Sequence, residues 1–139
     1  MAAGNRTVVL VDTNVASYRF RQSPDFSPFR PLLEGRIGAI SVITYGECLY
    51  GARAAGWLES RVSDYDAHLR KYLILPIDRD VVLAYAKVGG DLSRSGIGLS
   101  DNDLWIAASA IRYDLQLLTN DTDFKRVKGL RLLTPDSSR

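Results

Sequence analysis

Short apolar runs alternate along the chain with longer segments in which apolar residues recur at helical spacing. The short runs predict strands at residues 7–11, 37–43, 73–77, 115–119 and 130–133. The first run, VVLV, is apolar at every position, which is typical of a strand buried on both faces of a parallel sheet. The alternation of strands with helical segments indicates an α/β fold built from parallel βα units.

Three longer segments between these strands predict amphipathic helices. In the first, apolar residues recur at intervals of three and four, at Leu58, Val62, Tyr65, Leu69 and Tyr72. The second covers residues 81–92 and begins after an aspartate cap at Asp78 or Asp80. The third runs over residues 103–113, and shorter helices are expected near residues 15–20, 27–33 and 45–55.

Two segments carry residues that interrupt regular structure. Gly89, Gly90, Gly96 and Gly98 predict a loop before the third helix. Residues 19–36 contain three prolines and four arginines, which favours an irregular helical arm over a regular helix.

Composition limits the class of protein. The chain has 139 residues, 46% of them apolar and 24% charged, which predicts a single globular domain over residues 1–139. One cysteine, Cys48, excludes an internal disulfide, and no Cys/His zinc spacing is present. No apolar run approaches the ~20 residues of a membrane helix or forms a signal-peptide core. We expect a soluble, cytoplasmic protein with no membrane contact.

Acidic residues follow the predicted strands or begin the predicted helices. They are Asp12 in VVLVDTNV, Glu47 in TYGECLYG, Asp103 in SDNDLWIAA, and Asp121 and Asp123 in TNDTDF. Because the carboxyl ends of parallel strands share one edge of a sheet, we expect these side chains to converge there. Asp101 lies two residues before Asp103 and is interpreted as a cap or surface residue.

Convergence of these acids predicts a cation site. Two like charges ~4 Å apart repel by about 4 kcal/mol at an effective dielectric near 20, so the cluster must hold protons or a cation. Oxygen ligands without His or Cys suit Mg²⁺ or Mn²⁺. A divalent ion of this kind neutralises charge that develops on a phosphodiester, so the pattern supports metal-assisted phosphodiester hydrolysis.

Charge distribution bears on the substrate. The net charge is +2, but confining five acids to one pocket leaves an excess of about seven positive charges elsewhere, with 14 Arg and 4 Lys in the chain. Such a surface suits phosphate recognition, although the same bases also fit an ordinary solvated surface.

Each acid also has a purely structural interpretation. Thr44 to Glu47 matches a capping box, and Ser100 to Asp103 resembles one, so both acids could close helix N-termini. The Asp12 segment could form a strand-to-helix turn, and Asp121 could lie in a polar loop.

The four acidic motifs together resemble a PIN-domain ribonuclease, specifically a VapC-type toxin of a type II toxin–antitoxin system. The resemblance extends from Val8 to about Pro135. It implies a three-layer α/β/α sandwich around a mainly parallel sheet of about five strands. It also implies an RNA substrate such as tRNA or rRNA, a VapB-like antitoxin and a homodimer.

The same resemblance assigns roles to individual residues. It implies that the catalytic and metal-binding quartet is Asp12, Glu47, Asp103 and Asp121, holding Mg²⁺ or Mn²⁺. Asp123 matches an additional acid, and Asn14 and Thr119 match polar residues that line and order the site.

The segment SYRFRQSPDFSPFR interleaves aromatic residues with arginines. It could stack on single-stranded RNA, or it could pack its aromatic residues into the core or a subunit interface, which is the commoner use. The family resemblance adds contacts with the antitoxin and with a second toxin subunit.

Other functions fit the sequence less well. A haloacid-dehalogenase-like phosphatase also starts with an aspartate after an apolar strand, but its second aspartate would stand at position 14, which is Asn14. The isolated His68 and Cys48 accompany no nucleophile motif, and Gly96-Ile97-Gly98 lacks the strand and third glycine of a dinucleotide site. A non-catalytic RNA- or protein-binding module, whose acids only cap helices, is the remaining alternative.

Overall fold

A parallel sheet forms the centre of the computed structural model, which describes residues 6–135. Its strands are β1 (Val8–Val11), β2 (Ile37–Ser41), β3 (Leu73–Leu75), β4 (Leu117–Leu118) and β5 (Leu132–Leu133). They lie in the order β3-β2-β1-β4-β5, and all neighbouring pairs run parallel. The predicted domain covers residues 1–139, of which residues 1–5 and 136–139 lie outside the described part.

Helices cover the sheet on both faces. They are α1 (Thr13–Phe20), α2 (Arg30–Leu33), α3 (Val42–Ala54), α4 (Glu59–Leu69), α5 (Arg79–Arg94) and α6 (Asp101–Arg112). Short 3₁₀ helices occupy Pro24–Phe29 and Thr122–Arg126. No helix within residues 6–135 combines the length and the apolar character needed to cross a membrane.

The side chains of β1 alternate between two cores. Val9 and Val11 pack among residues of α1 to α4, whereas Leu10 packs with Ile106 of α6 and with Leu117. β1 is therefore covered on both faces, as the VVLV run predicts. The predicted three-layer α/β/α sandwich around a parallel sheet is confirmed.

The predicted end of β2 is wrong by two residues. Val42 and Ile43 continue the β-branched pattern of the strand, but the chain enters α3 at Val42. The Ser41 hydroxyl accepts a hydrogen bond from the Ile43 N–H at 3.0 Å and caps the helix. Glu47 therefore lies in the second turn of α3.

The predicted loop at Gly89 and Gly90 is also wrong, because α5 continues through both residues to Arg94. Packing against α6 accounts for one of these glycines. A Cβ at position 89 would lie 2.9 Å from the Leu104 side chain, so glycine allows α5 and α6 to approach closely. The loop itself begins after α5, where Gly96 adopts a φ of +69°.

The aromatic and arginine-rich segment forms the predicted irregular arm, with α1, a 3₁₀ helix and α2 in succession. Phe26 and Phe29 are buried in the core, and the Arg30 guanidinium lies 5.1 Å from the centre of the Phe26 ring. Of the two interpretations, core packing is confirmed for these phenylalanines.

Candidate active site

The predicted acidic residues lie at the carboxyl edge of the sheet. Asp12 follows β1 directly and caps α1, while Asp121 follows the adjacent β4 and caps the Thr122–Arg126 helix. Glu47 and Asp103 reach the same edge from α3 and α6. The parallel strand order thus brings together residues more than a hundred positions apart in the chain.

Asp12 is the most deeply buried of these acids, with 4% of its surface exposed. Its Oδ1 accepts a hydrogen bond from the Thr13 N–H at 2.8 Å, and its Oδ2 accepts one from the Thr119 hydroxyl at 2.7 Å. The pKa of Asp12 is raised to about 6, chiefly by burial and in smaller part by the charges of Asp103 and Asp121, while these two hydrogen bonds act in the opposite direction. No basic residue within 6–135 forms an ion pair with Asp12.

The pKa of Asp103 is raised by burial and by the charges of other acids in the cluster. Burial raises its pKa first, and the charges of Asp121, Glu47 and Asp123 add to the effect. Its backbone N–H donates to the Ser100 hydroxyl at 3.2 Å, which caps α6. Together with the coupling of Asp12 to Asp103, these interactions place all five acids in one electrostatic field.

Hydrogen bonds on both carboxylate oxygens fix the position of Glu47. Oε1 accepts from the Thr13 hydroxyl at 2.7 Å, and Oε2 accepts from the Asn102 side-chain amide at 2.9 Å. The Thr13 oxygen also lies 2.9 Å from the Thr44 hydroxyl. Because Thr13 has one hydroxyl proton and donates it to Glu47, Thr44 is the donor in this second bond.

Sequence reasoning missed Thr13, Thr44 and Asn102 as residues that orient an acid. The sequence does place two of them near the site, because Thr13 follows Asp12 directly and Asn102 precedes Asp103 directly. Their partner Glu47 lies 34 and 55 positions away, a distance that a local pattern does not reveal.

Thr119 lies between Asp12 and Asp121 and forms hydrogen bonds with both. It donates to Asp12 and accepts the Asp121 N–H at 3.0 Å, so it joins the ends of β1 and β4. Asp121 in turn accepts the Asp123 N–H at 2.9 Å, and Asp123 forms an ion pair with Arg126 at 3.3 Å. Asp123 is thus the one acid of the cluster with a cationic partner in the described residues.

The interpretation of the acids as helix caps holds for some of them and not for others. A capping role for Glu47 is wrong, because α3 begins at Val42, five residues earlier. Asp12 and Asp121 do cap helices, so they combine a local role with their place in the cluster. Asp101 is an exposed surface residue whose carboxylate accepts a hydrogen bond from the Tyr85 hydroxyl, and Ser100 provides the cap.

An open groove of about 660 Å³ adjoins the acidic cluster. Asn14 and Glu47 lie in its wall, beside Arg21, Trp57 and Arg61. Asn14 is exposed there, and the Arg61 guanidinium stacks 3.7 Å from the centre of the Trp57 ring. The groove therefore brings two guanidinium groups next to Glu47, the acid of the cluster that lines it.

The family model of the PIN domain matches residues 9–130 of this chain. The chain belongs to the PIN-domain family. This assignment confirms the resemblance to a PIN domain and agrees with the parallel sheet.

Curated relatives of this PIN domain carry the name Ribonuclease VapC. Ribonuclease VapC4 of Mycobacterium tuberculosis is 30% identical over 128 residues, which make up 90% of this chain and 95% of the relative. Ribonuclease VapC2 of Rickettsia felis is 29% identical over 128 residues, with 90% and 96% of the two chains covered.

Solved structures similar to this PIN domain come from toxin–antitoxin complexes. VapBC2 from Rickettsia felis, bound to a DNA fragment from its promoter, has a chain with a TM-score of 0.80 and 26% identity, covering 92% of this chain and 98% of that chain. VapBC-1 from nontypeable Haemophilus influenzae gives a TM-score of 0.79 and 25% identity, with 94% and 99% covered.

The donor atoms of this PIN domain fit a hard divalent cation. The cluster offers carboxylate and hydroxyl oxygens, and buried Asp12 lacks a cationic partner among the described residues. Within residues 6–135, however, no three acidic, histidine or cysteine side chains stand close enough together to chelate an ion directly. Mg²⁺ retains several waters when it binds proteins, so water bridges or rotation of the carboxylates would close these gaps.

The other reactive side chains do not belong to the acidic cluster, although Cys48 borders the groove. Cys48 is buried, and burial raises the pKa of its thiol to about 11, so it remains a protonated packing residue. His68 is half-buried on α4, and its ring centre lies 5.3 Å from that of Phe20.

Proposed function

We propose that this chain is a metal-dependent endoribonuclease toxin that hydrolyses RNA phosphodiester bonds and is neutralised by a VapB-like antitoxin. The observation that carries this proposal is Asp12, a buried carboxylate without a cationic partner in the described residues, at the centre of a cluster of acids. The names of the relatives as VapC ribonucleases support the choice of RNA.

The acids would hold Mg²⁺ or Mn²⁺ as a quartet of Asp12, Glu47, Asp103 and Asp121, directly or through water, with Asp123 assisting. When bound, the ion supplies an activated water and neutralises the charge that develops on the phosphate. Asp12 and Asp103 are best placed to bind it, because burial and mutual repulsion raise the pKa of each and a cation would relieve both effects.

Hydroxyl and amide groups keep the acids oriented for this task. Thr119 holds one oxygen of Asp12, while Thr13 and Asn102 hold the two oxygens of Glu47. These residues position the acids and are not catalytic residues themselves. Preorganisation of this kind lowers the cost of arranging charges at the moment of reaction.

The groove next to the cluster would receive the RNA strand. Arg21 and Arg61 provide positive charge for phosphates, with Arg61 held against the Trp57 ring, and Asn14 lines the path towards Glu47. Within this proposal the whole chain acts as one PIN domain in the cytoplasm, where tRNA and rRNA are found.

Partners follow from the similar solved structures, whose descriptions name VapB together with VapC. We therefore include a cognate VapB-like antitoxin in the proposal, and the resemblance to VapC-type toxins adds a homodimer. Exposed apolar side chains on α3 and α5, such as Tyr50 and Leu83, provide surface for contacts with other subunits.

Cleavage of total cellular RNA by purified, antitoxin-free protein tests the proposal. We expect discrete fragments with Mg²⁺ or Mn²⁺, none with EDTA, and none with Asp103→Asn. Asp101→Asn is the matched control, since it removes the same charge from an exposed residue two positions away and should leave cleavage intact. Equal cleavage by the parent and by Asp103→Asn would refute the assignment of the site.

A binding module without catalysis is the second candidate, favoured by the helix-capping roles of Asp12 and Asp121 and by the lack of a preformed chelating triad in residues 6–135. Folded protein that binds RNA but releases no fragments under any metal condition would favour this candidate.

A further inference from the structure

A second polar cavity lies away from the acidic cluster. It measures about 380 Å³ and is lined by basic side chains. We call it the basic pocket and define it by Arg6, Arg19, Arg36, His68 and Lys71, with Tyr72 in its wall. None of the residues within 6–135 that line it is acidic.

The basic pocket lies at the amino end of the sheet, opposite the acids. Ile37, the first residue of β2, forms part of its wall, whereas the carboxyl end of β2 is at Ser41. Helix α1 connects the two regions, because Asp12 caps its start and Arg19 lies in its last turn. Seven residues of helix correspond to about 10 Å.

The positive charges of the basic pocket are not compensated within the described residues. No ion pair in residues 6–135 involves Arg6, Arg19, Arg36 or Lys71. Two of these side chains have neutral partners instead. Arg19 donates to the Tyr72 hydroxyl at 3.3 Å, and Arg36 donates to the Leu32 carbonyl.

The positive charges in the pocket act on the imidazole ring of His68. Its pKa lies below the ordinary value, first because of burial and then because of the charges of Arg19 and Lys71. A concave site with four cations, three of them arginine, attracts an anion that can accept several hydrogen bonds. Phosphate oxygens meet this requirement, because guanidinium groups bind them through paired N–H donors.

We propose that the basic pocket binds a phosphate group of the RNA backbone at a distance from the scissile bond. This inference rests on the proposed ribonuclease function. RNA is the favoured source of the phosphate because the groove with Arg21 and Arg61 also borders α1, on the side of the acids. One strand of a nucleic-acid helix carries a phosphate about every 3 Å along the helix axis. The ~10 Å length of α1 therefore corresponds to about three phosphates.

The first experiment uses inorganic phosphate and the NMR signals of the His68 ring. His68 is the single histidine of the chain, so its ring signals report directly on the pocket. At constant ionic strength and pH, phosphate should shift these signals and reach saturation in the parent protein. The double variant Arg6→Gln/Lys71→Gln removes two exposed charges and should weaken the effect at least fivefold.

The second experiment measures RNA binding by Asp12→Asn protein in EDTA, with unfractionated tRNA as the probe. Adding Arg6→Gln/Lys71→Gln should weaken binding about tenfold and reduce the dependence of log K on log salt by about 1. The matched control is Arg79→Gln/Lys87→Gln, which removes two exposed charges from α5 and should change binding less than twofold.

Both results together support the proposal. Saturable phosphate binding with unchanged RNA affinity would overturn the RNA assignment and indicate a site for free phosphate. His68 signals that do not respond to phosphate would overturn the phosphate site itself. If the parent binds no RNA at all, the proposed function fails, and the phosphate titration still decides whether the pocket binds phosphate.

Discussion

Replacing the central acid by its neutral analogue should stabilise the metal-free protein. The pKa of Asp12 is about 6 in the folded protein against an ordinary value of 3.8. Above pH 6, this difference corresponds to about 3 kcal/mol of unfavourable free energy from keeping the carboxylate ionised in the folded state. Asp12→Asn removes that cost.

Two local effects determine how much of this gain remains. Asparagine caps helices as well as aspartate does, so the start of α1 is preserved. In asparagine, however, an NH2 group replaces one of the two oxygens that accept from the Thr13 N–H and the Thr119 hydroxyl, and loss of one such bond costs about 1 kcal/mol. We expect a net gain of about 2 kcal/mol at pH 8.

Urea unfolding in EDTA at two pH values measures this effect. The folded-state pKa of Asp12 lies above its unfolded value, so the cost is absent below pH 3.8, grows as the pH rises and is complete above 6. The gain seen at pH 8 should therefore vanish at pH 4 and become a loss of about 0.5 kcal/mol, because about 0.5 kcal/mol of the ionisation cost remains there against about 1 kcal/mol for the missing hydrogen bond. Asp64→Asn, at an exposed position of α4, should change stability by less than about 0.5 kcal/mol at either pH. Equal destabilisation by Asp12→Asn at both pH values would refute the reasoning.

Three further predictions concern stability elsewhere in the domain. Gly38→Ala should cost about 1–3 kcal/mol in urea unfolding, because the new Cβ would lie 2.8 Å from the Tyr72 ring; an unchanged midpoint would contradict this contact. Gly90→Ala should stabilise α5 by about 1 kcal/mol, since the new Cβ would have no neighbouring element within 4 Å among the described residues, and Gly89→Ala should gain less; equal gains would show that α6 does not constrain the helix. The lowered pKa of His68 means that the folded state binds fewer protons, so stability should fall as the pH drops through about 6.5, and this contribution should be missing in His68→Gln.

The part of the fold that the sequence predicts best is the part in which local pattern and tertiary burial agree. In β1, the VVLV run predicts a strand buried on both faces, and the aspartate that follows it lies at the sheet edge. The prediction extends β2 two residues too far because Val42 and Ile43 favour a strand locally, whereas Ser41 caps a helix that begins at Val42. The predicted loop at Gly89 is wrong because a glycine that breaks a helix and a glycine that allows close helix packing look alike in a sequence.

In the candidate site, the placement of the acids can be predicted from the sequence, but the hydrogen bonds that orient them cannot. Each acid stands beside a predicted strand or helix start, so its place at the edge follows from the parallel topology alone. The hydrogen bonds that orient Glu47 join three separate elements and depend on how α1, α3 and α6 pack. The basic pocket likewise combines residues from distant segments, so neither net charge nor local motifs reveal it.

The central claim, that the acids form one metal site, is tested most directly by anomalous X-ray scattering from crystals of the protein soaked in Mn²⁺. The account predicts one or two Mn²⁺ ions at the carboxyl edge of the sheet, with Asp12 and Asp103 among their ligands and no ion there in Asp12→Asn crystals. Saturating Mn²⁺ that leaves this edge empty, or that binds only elsewhere, would contradict it.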